Sequence, residues 1–461
     1  MQNLLPFAMV GLVIIMMVAW FTGRAKAVSS AGVHPSSLHS LPGYSGAYLA
    51  IWAVLPAFIL LALFGLFGDV IVNMQMRHAL PDNIHALAPE QIELFLRNAR
   101  ALASGGTASE TSPALVLAAE RYTAFSRTGN IVIIVLTLAF TLGGFFFARA
   151  RIGKNFRARN HVEAVIFGLL VVCAAIAILT TLGIVLSLLT ESLRFFSEIN
   201  ALDFLFGLKW SPQTAMRADQ VGQSGSFGAV PLFAGTFLIT LIAMVVAAPV
   251  GLYSAIYLSE YAKPSSRRII KPILEILAGV PTVVYGFFAL LTVGPFIRQL
   301  AESVGLGAQT QSALSAGLVM GIMIIPFVSS LSDDVINAVP QSLRDGSYAM
   351  GATQAETVRN VVFPAALPGI MGALLLAISR AIGETMIVVM AAGQSANLTA
   401  NPLEPVTTVT VQIVTLLTGD QEFDSAKTLS AFALGLVLFV ITLGLNIISL
   451  SVVRKYRERY D

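Results

Sequence analysis

The chain contains apolar runs that are long and almost free of charge. Residues 162–190, for example, hold a single charged side chain, Glu163, in a stretch that is otherwise mostly aliphatic. A helix needs about 20 apolar residues to cross a hydrocarbon core of about 30 Å, and several of the runs exceed that length. Hydrophobic residues make up 56% of the chain and charged residues 11%, whereas soluble domains have roughly 45–50% and about 25%. Because the runs are continuous and do not alternate, they predict an all-α polytopic membrane protein and exclude a membrane barrel.

The runs predict nine membrane-spanning helices. They cover approximately residues 4–21, 46–72, 130–148, 162–190, 229–258, 273–296, 313–331, 367–392 and 429–453. The polar segment 73–129 predicts two amphipathic helices, one beginning near Pro89 and one at Ser112-Pro113. The apolar stripe of the first helix consists of Ile92, Phe95, Leu96 and Ala99.

Basic residues orient the predicted spans. The densest basic run lies between the third and fourth spans and contains Arg149, Arg151, Lys154, Arg157 and Arg159. The positive-inside rule places this run in the cytoplasm, which is a better explanation than a nucleic-acid surface for a short loop held between two spans. Counting from it predicts an N-terminus outside and a C-terminus inside, with the tail Arg454-Lys455-Tyr456-Arg457 in the cytoplasm.

A polar loop separates the seventh and eighth predicted spans. Pro340 can occupy the first turn of a short helix, and Gly351 is a natural left-handed stop for it. Thr353 and Glu356 have the spacing of a capping box that opens a second short helix. We predict two short helices joined at a bend, with Pro364 and Pro368 ending the second helix and starting the next span.

Two opposite charges, Arg380 and Glu384, lie inside the eighth predicted span, four residues apart on one helical face. A single charge at the bilayer centre costs about 2.5–3.5 kcal/mol, so such residues are expected to face protein or water. One interpretation is an ion pair that only neutralises itself. The other is an anion pathway in which the planar guanidinium of Arg380 donates to an oxyanion and Glu384 holds Arg380 in place.

Three stretches of the chain resemble known transport proteins. Asp345-Gly346-Ser347, Gly351 and the close Val361-Val362-Phe363-Pro364 have the spacing of the EAA signature of permease subunits of ATP-binding-cassette (ABC) importers, although the triplet keeps only the acid and two small residues. Arg380-Ala381-Ile382-Gly383-Glu384-Thr385-Met386 and Val280-Pro281-Thr282-Val283-Val284-Tyr285-Gly286 are similar to the C-type permease family of phosphate-specific importers. The resemblance covers about residue 164 to the C-terminus.

The resemblance implies a fold and a set of partners. It implies a type I ABC permease core of six helices in residues 161–461. The apolar runs and the positive-inside count, not the resemblance, predict that residues 1–160 are an N-terminal membrane extension of about three helices with 73–129 as its extracytoplasmic segment. The implied function is phosphate import across the bacterial inner membrane, without a cofactor. The coupling loop, residues 332–364, would dock into a dimer of ATP-binding subunits through Asp345, Tyr348, Ala349 and Gly351. A second permease subunit (PstA-like) and an extracytoplasmic phosphate-binding protein are the other expected partners, and Arg380 and Glu384 the expected pathway residues.

Other features exclude or leave open some alternatives. The Gly153-Lys154 pair lacks P-loop spacing, so ATP hydrolysis is expected on another polypeptide and the chain is not expected to be an enzyme. The single cysteine, Cys173, excludes an intrachain disulfide, and the histidines show no zinc spacing. Asp333 and Asp334 are interpreted as the water boundary rather than a metal site. A permease for sulfate or molybdate and an ion-coupled secondary transporter remain alternatives.

Overall fold

The computed structural model describes residues 5–31, 38–80, 84, 89–106, 112–212, 225–418 and 425–456. Leu4, Arg457 and parts of the polar segment 73–129 therefore lie outside the described residues. The chain divides into two compact units, Met1–Leu179 and Thr180–Asp461. The predicted domain boundary at residue 160 stays a prediction. Residue 160 and the division after Leu179 both lie within one helix, Ala158–Glu198.

The first unit is built from long helices. They are α1 (Leu5–Ala31), α2 (Pro42–His78), α3 (Pro89–Ala103), α4 (Pro113–Arg151) and the first part of α5 (Ala158–Glu198). Close packing of α1 on α2 depends on a small residue, because a Cβ atom on Gly46 would lie 2.6 Å from the carbonyl oxygen of Trp20. The short α3 packs on α2 and α4 through the predicted stripe, with Leu96 and Ala99 buried.

The second unit contains the remaining elements. They are α6 (Ala201–Phe206), β1 (Trp210–Ser211), β2 (Ser226–Phe227), α7 (Val230–Ile256), α8 (Pro264–Ala278), α9 (Thr282–Phe288), α10 (Gly294–Ser303), α11 (Ala313–Asn337), α12 (Gln341–Ala349), α13 (Gln354–Thr357), α14 (Phe363–Ile382), α15 (Met386–Ala391), α16 (Val409–Leu417) and α17 (Ala426–Tyr456). The two strands pair antiparallel, with Trp210 opposite Phe227. Single π-helical turns follow α7 (Tyr257–Tyr261), α9 (Ala289–Val293) and α13 (Val358–Val362).

Helices α7 and α11 form the centre of the second unit. Gly317 and Gly321 of α11 face α7, where a Cβ atom on Gly317 would lie 2.6 Å from Ile242 and one on Gly321 would lie 2.9 Å from the carbonyl oxygen of Ala243. The small-residue spacing therefore lets the two helices approach closely, as small pairs do in membrane helices. Ala243 and Met320 belong to the largest buried cluster of this unit.

Nine helices among the described residues are long and apolar enough to cross a membrane, which confirms the predicted number. Several predicted boundaries were wrong. Helix α4 begins at Pro113, capped by the Ser112 hydroxyl, and runs without a break to Arg151. The second amphipathic helix and the third span are therefore one helix, because no proline follows Pro113 in this stretch and Gly129 alone does not end it.

The sixth predicted span, 273–296, is interrupted near Pro281. Helix α8 ends at Ala278 and α9 begins after Pro281, so the membrane-crossing stretch starts at Thr282. Helix α8 has no buried residue and carries charged residues on one side, which is typical of a helix lying at a membrane surface.

Candidate functional site

The coupling loop folds as the sequence predicts. Helix α12 ends at Ala349, and Gly351, two residues further on, has a φ of 88° in the left-handed region that favours glycine. The Thr353 hydroxyl accepts from the Glu356 amide, and the Glu356 carboxylate accepts from the Thr353 amide, which confirms the capping box at α13. One prediction was wrong, because α13 continues through a π-helical turn into α14 and Pro364 falls in the first turn of α14.

A buried ion pair fixes α12 to the rest of the unit. Arg344 of α12 contacts Glu260 in the π-helical turn after α7, with an Nη2 to Oε1 distance of 2.8 Å, and the two side chains are 9% and 7% exposed. The guanidinium also donates to the carbonyl oxygens of Ile336 and Val339, at 2.9 and 2.6 Å. Arg344 thus closes the corner between α11 and α12. Sequence reasoning missed this residue because its partner is 84 positions away.

Two further hydrogen bonds hold the loop together and to its base. The Gln354 side-chain amide donates to the carbonyl oxygen of Glu260 at 2.6 Å, so α13 is tied to the same turn as α12. The hydroxyls of Ser347 and Thr357 are 2.9 Å apart and join the two short helices. Both short helices are therefore tied to the end of α7.

The predicted docking residues lie on the outer side of the loop. Asp345, Tyr348, Ala349 and Gly351 are all exposed. The Asp345 carboxylate accepts a hydrogen bond from Gln341 on its own helix at 3.1 Å. Met350, which was not predicted, is 89% exposed at the tip of the loop. Because Arg344 points inward and these residues point outward, the loop has an anchored side and a free side.

A second ionic network joins α8 to α11. The Asp333 carboxylate is 1% exposed and accepts from Arg267 at 3.0 Å and from Lys271 at 2.9 Å. Asn337 donates to it at 2.9 Å. Asp334, by contrast, is 66% exposed. The prediction that both carboxylates mark the water boundary was therefore wrong for Asp333, which holds the surface helix α8 in place.

The Lys271 ammonium is held in its charged form by this network. Its hydrogen bond to Asp333, followed by the charge of that carboxylate, raises the pKa of Lys271 despite partial burial. For a lysine with a raised folded pKa, the stabilisation is complete below the unfolded pKa of about 10.4 and is lost only as pH rises through the folded value. The contribution of the Lys271 charge should therefore be constant across the neutral pH range.

Asp333→Asn is expected to lower the stability of the second unit. The amide has nearly the same shape but no charge, so the loss is about 1–2 kcal/mol, reduced by the partial exposure of Arg267 and Lys271. The matched control is Asp334→Asn, whose carboxylate is 66% exposed and lies 3.6 Å from the Lys271 ammonium, so its loss should cost far less. Thermal unfolding in detergent should show a lower midpoint for the first variant alone, and equal midpoints would contradict the structural role of Asp333.

The stretch with Arg380 and Glu384 is not a continuous helix. Helix α14 ends at Ile382, Gly383 follows it, and α15 begins at Met386. The prediction that the two charges lie on one helical face was therefore wrong. Apolar periodicity could not reveal the break, whereas Gly383 beside a charged residue was a usable signal for it.

The break gives the two charges different partners. The Glu384 carboxylate accepts from the backbone amides of Met386 and Ile387, at 3.1 and 3.4 Å, and so caps α15. Its carbonyl oxygen accepts from the Thr410 hydroxyl of α16 at 2.9 Å. The exposed Arg380 guanidinium lies over the Phe327 ring, 5.6 Å from its centroid. Within the described part of the chain, no salt bridge joins Arg380 to Glu384.

Two family models match the chain. The family described as "Phosphate ATP-binding cassette transporter" matches residues 9–180, most of which lie before residue 164, where the resemblance found in the sequence begins. The family described as "Binding-protein-dependent transport system inner membrane component" matches residues 247–458.

Curated relatives extend these matches. A probable ABC transporter permease of Bacillus subtilis, YqgH, is 35% identical over 272 residues, which are 59% of this chain and 84% of the relative. The phosphate transport system permease PstC of Mesorhizobium japonicum is 34% identical over 285 residues, 58% of this chain and 83% of the relative. A crystal structure of a bacterial alginate ABC transporter matches with a TM-score of 0.46 at 15% identity, covering 64% of this chain and 96% of that chain, a score too low to support any argument.

The apolar helices and these matches together define a multi-pass membrane transport protein. The chain belongs to the family of ABC transport permeases formed by the binding-protein-dependent inner membrane components.

Proposed function

We propose that the chain is a permease subunit of an ATP-driven importer of inorganic phosphate. The observation that carries this proposal is the coupling loop, which is fixed to its base by the buried Arg344–Glu260 pair and presents an exposed face. Such a loop is suited to receive force from another protein. The phosphate specificity is supported by the names of the relatives, including PstC of Mesorhizobium japonicum.

Energy for transport would come from a dimer of ATP-binding subunits in contact with Asp345, Tyr348, Ala349 and Gly351. Closure of that dimer would move the loop, and the Arg344–Glu260 pair would pass the motion to the ends of α7 and α11. A rigid-body rotation of helices would then open the pathway to one side or the other. A PstA-like permease would supply the second half of the pathway, and an extracytoplasmic phosphate-binding protein would deliver the anion.

Arg380 is the proposed phosphate contact. Its guanidinium has no carboxylate partner among the described residues and can donate two parallel hydrogen bonds to phosphate oxygens. Glu384, four residues after Arg380, would act as a gate residue, because its carboxylate caps the start of α15 directly after the helix break. The proposed orientation has the coupling loop and the C-terminus in the cytoplasm and the N-terminus outside.

Uptake of labelled phosphate tests the substrate. Membrane vesicles containing the chain and its proposed partners should accumulate phosphate only with ATP, and unlabelled phosphate should compete while sulfate and molybdate should not. Equal competition by sulfate or molybdate would instead favour the alternative oxyanion permease. Uptake driven by an ion gradient without ATP would favour a secondary transporter.

Asp345→Lys is expected to uncouple ATP hydrolysis from uptake. The substitution reverses the charge of an exposed residue that, among the residues the structure describes, accepts a side-chain hydrogen bond from Gln341 alone, so the amount of protein in the membrane should not change. Uptake should fall at least about tenfold, which corresponds to about 1.4 kcal/mol at the docked interface. The matched control is Glu275→Lys, an exposed acid on α8 outside the loop. Normal coupling in Asp345→Lys would contradict the docking assignment.

A further inference from the structure

The first unit carries an apolar groove that the transport mechanism does not use. The groove has a volume of about 510 Å³ and is lined by side chains of three helices, among them Met16 and Trp20 of α1, Ala47 and Phe58 of α2, and Leu169 of α5. Every lining side chain is apolar. The stretch from Ala47 to Phe58 rises about 16 Å along the helix axis. That length is close to half of a hydrocarbon core of about 30 Å, which is the depth of one leaflet.

One end of the groove meets a basic side chain. Trp20 packs on α2, where a Cβ atom on Gly46 would lie 3.1 Å from the indole ring. The Arg24 guanidinium, one helical turn further along α1, lies 5.5 Å from the centroid of the same ring. Arg24 is exposed. A ligand in the groove would therefore have an exposed guanidinium group at its end.

Hydrogen bonds hold the end of α4 and the start of α5 at the end of the unit where Arg24 lies. The Lys26 ammonium of α1 donates to the carbonyl oxygen of Arg149 near the end of α4. The Arg159 amide at the start of α5 donates to the hydroxyl of Ser40, just before α2, at 3.4 Å. The loop between α4 and α5 is therefore part of the same end of the unit.

The charge at this end is strongly positive. Residues 24–60 and 145–165 contain seven lysines and arginines and one acid, Glu163, which is paired with Arg159. We name the seven bases the basic rim. It consists of Arg24, Lys26, Arg149, Arg151, Lys154, Arg157 and Arg159.

We propose that the groove and the basic rim form a binding site for one anionic phospholipid. An acyl chain of the lipid would lie in the groove, and the lipid phosphate would contact Arg24 and the other bases of the rim. An acyl chain that enters the groove from the bilayer exchanges one apolar environment for another. The groove therefore accommodates the chain but does not favour one lipid headgroup over another. The preference comes from the rim, because clusters of basic residues at the cytoplasmic ends of membrane helices attract anionic headgroups. The site would fasten the first unit to the leaflet with the higher negative charge.

Quenching of Trp20 fluorescence tests this proposal on the full chain in lipid vesicles. A small fraction of brominated phosphatidylglycerol in a phosphatidylcholine bilayer should quench Trp20 more than the same fraction of brominated phosphatidylcholine. The difference should correspond to about a fivefold preference if one basic residue dominates. A Trp20→Phe variant reports the quenching of Trp52 and Trp210 alone. The difference between the native chain and this variant is the quenching of Trp20.

Two variants separate the rim from the groove. Arg24→Gln should remove most of the preference for phosphatidylglycerol, and Ala47→Phe should reduce quenching by both lipids because the ring fills the groove. The matched control is Arg127→Gln, an exposed arginine about 33 Å along α4 from Arg149, which should leave the preference unchanged. Equal melting temperatures in detergent show that each variant is folded.

Three outcomes would overturn the proposal. Equal quenching by both brominated lipids in the native chain would indicate ordinary boundary lipid. Absence of Trp20-dependent quenching by either lipid would indicate that protein covers the groove. Loss of the preference in excess inorganic phosphate would assign the rim to a free anion instead of a lipid headgroup.

Discussion

Arg344→Met is expected to lower the stability of the second unit by about 3–5 kcal/mol, since it leaves the carboxylate of Glu260 buried without its counterion. The substitution also removes the donors to Ile336 and Val339 at the corner between α11 and α12. Membrane proteins and soluble domains alike have small net stabilities, so a loss of this size should be visible as a clearly lower melting temperature and as loss of ATP-dependent uptake.

A double substitution separates the ion pair from simple damage to the fold. Replacing Arg344 and Glu260 together by methionine removes both buried charges, and such replacements are often neutral or stabilising. The double variant should therefore melt at a higher temperature than Arg344→Met alone. A single variant as stable as the native chain would show that the pair does not anchor the coupling loop.

Arg380→Lys is expected to reduce phosphate uptake by about tenfold to a hundredfold, the equivalent of one or two charge-assisted hydrogen bonds. Lysine keeps the positive charge but cannot donate two parallel bonds to phosphate oxygens. Because Arg380 is exposed and lies over Phe327 without a salt bridge among the described residues, the fold should tolerate the change. ATP hydrolysis by the assembled transporter should continue while uptake falls.

The control for Arg380 is Arg298→Gln on α10. Arg298 is 54% exposed and pairs with Glu302 one turn away, so its loss should affect neither uptake nor stability by more than a few tenths of a kcal/mol. Phosphate uptake at the native rate in both Arg380→Lys and Arg298→Gln would contradict the assignment of Arg380 to the pathway.

Local chemistry made much of this structure predictable. Continuous apolar runs predicted nine membrane helices, and Gly351 together with the Thr353–Glu356 capping box predicted the bend of the coupling loop. Each of these features depends on residues within a few positions of one another. The amphipathic stripe of α3 was predicted for the same reason.

Contacts between distant segments were not predictable. Asp333 meets Arg267 across 66 positions, and nothing in the adjacent Asp333-Asp334 pair indicates which carboxylate is buried. The same limit applies to Arg344 and Glu260. The break at Gly383 was missed for a different reason, because an apolar run of helical length gave no period from which the end of α14 could be placed.

The most direct test of the account is phosphate accumulation in sealed vesicles that contain the purified chain without any ATP-hydrolysing subunit. The account predicts no accumulation against a gradient under this condition. Accumulation should appear only when the ATP-binding subunits, the second permease and ATP are all present. Concentrative uptake by the chain alone would contradict the central claim that the coupling loop receives its energy from another protein.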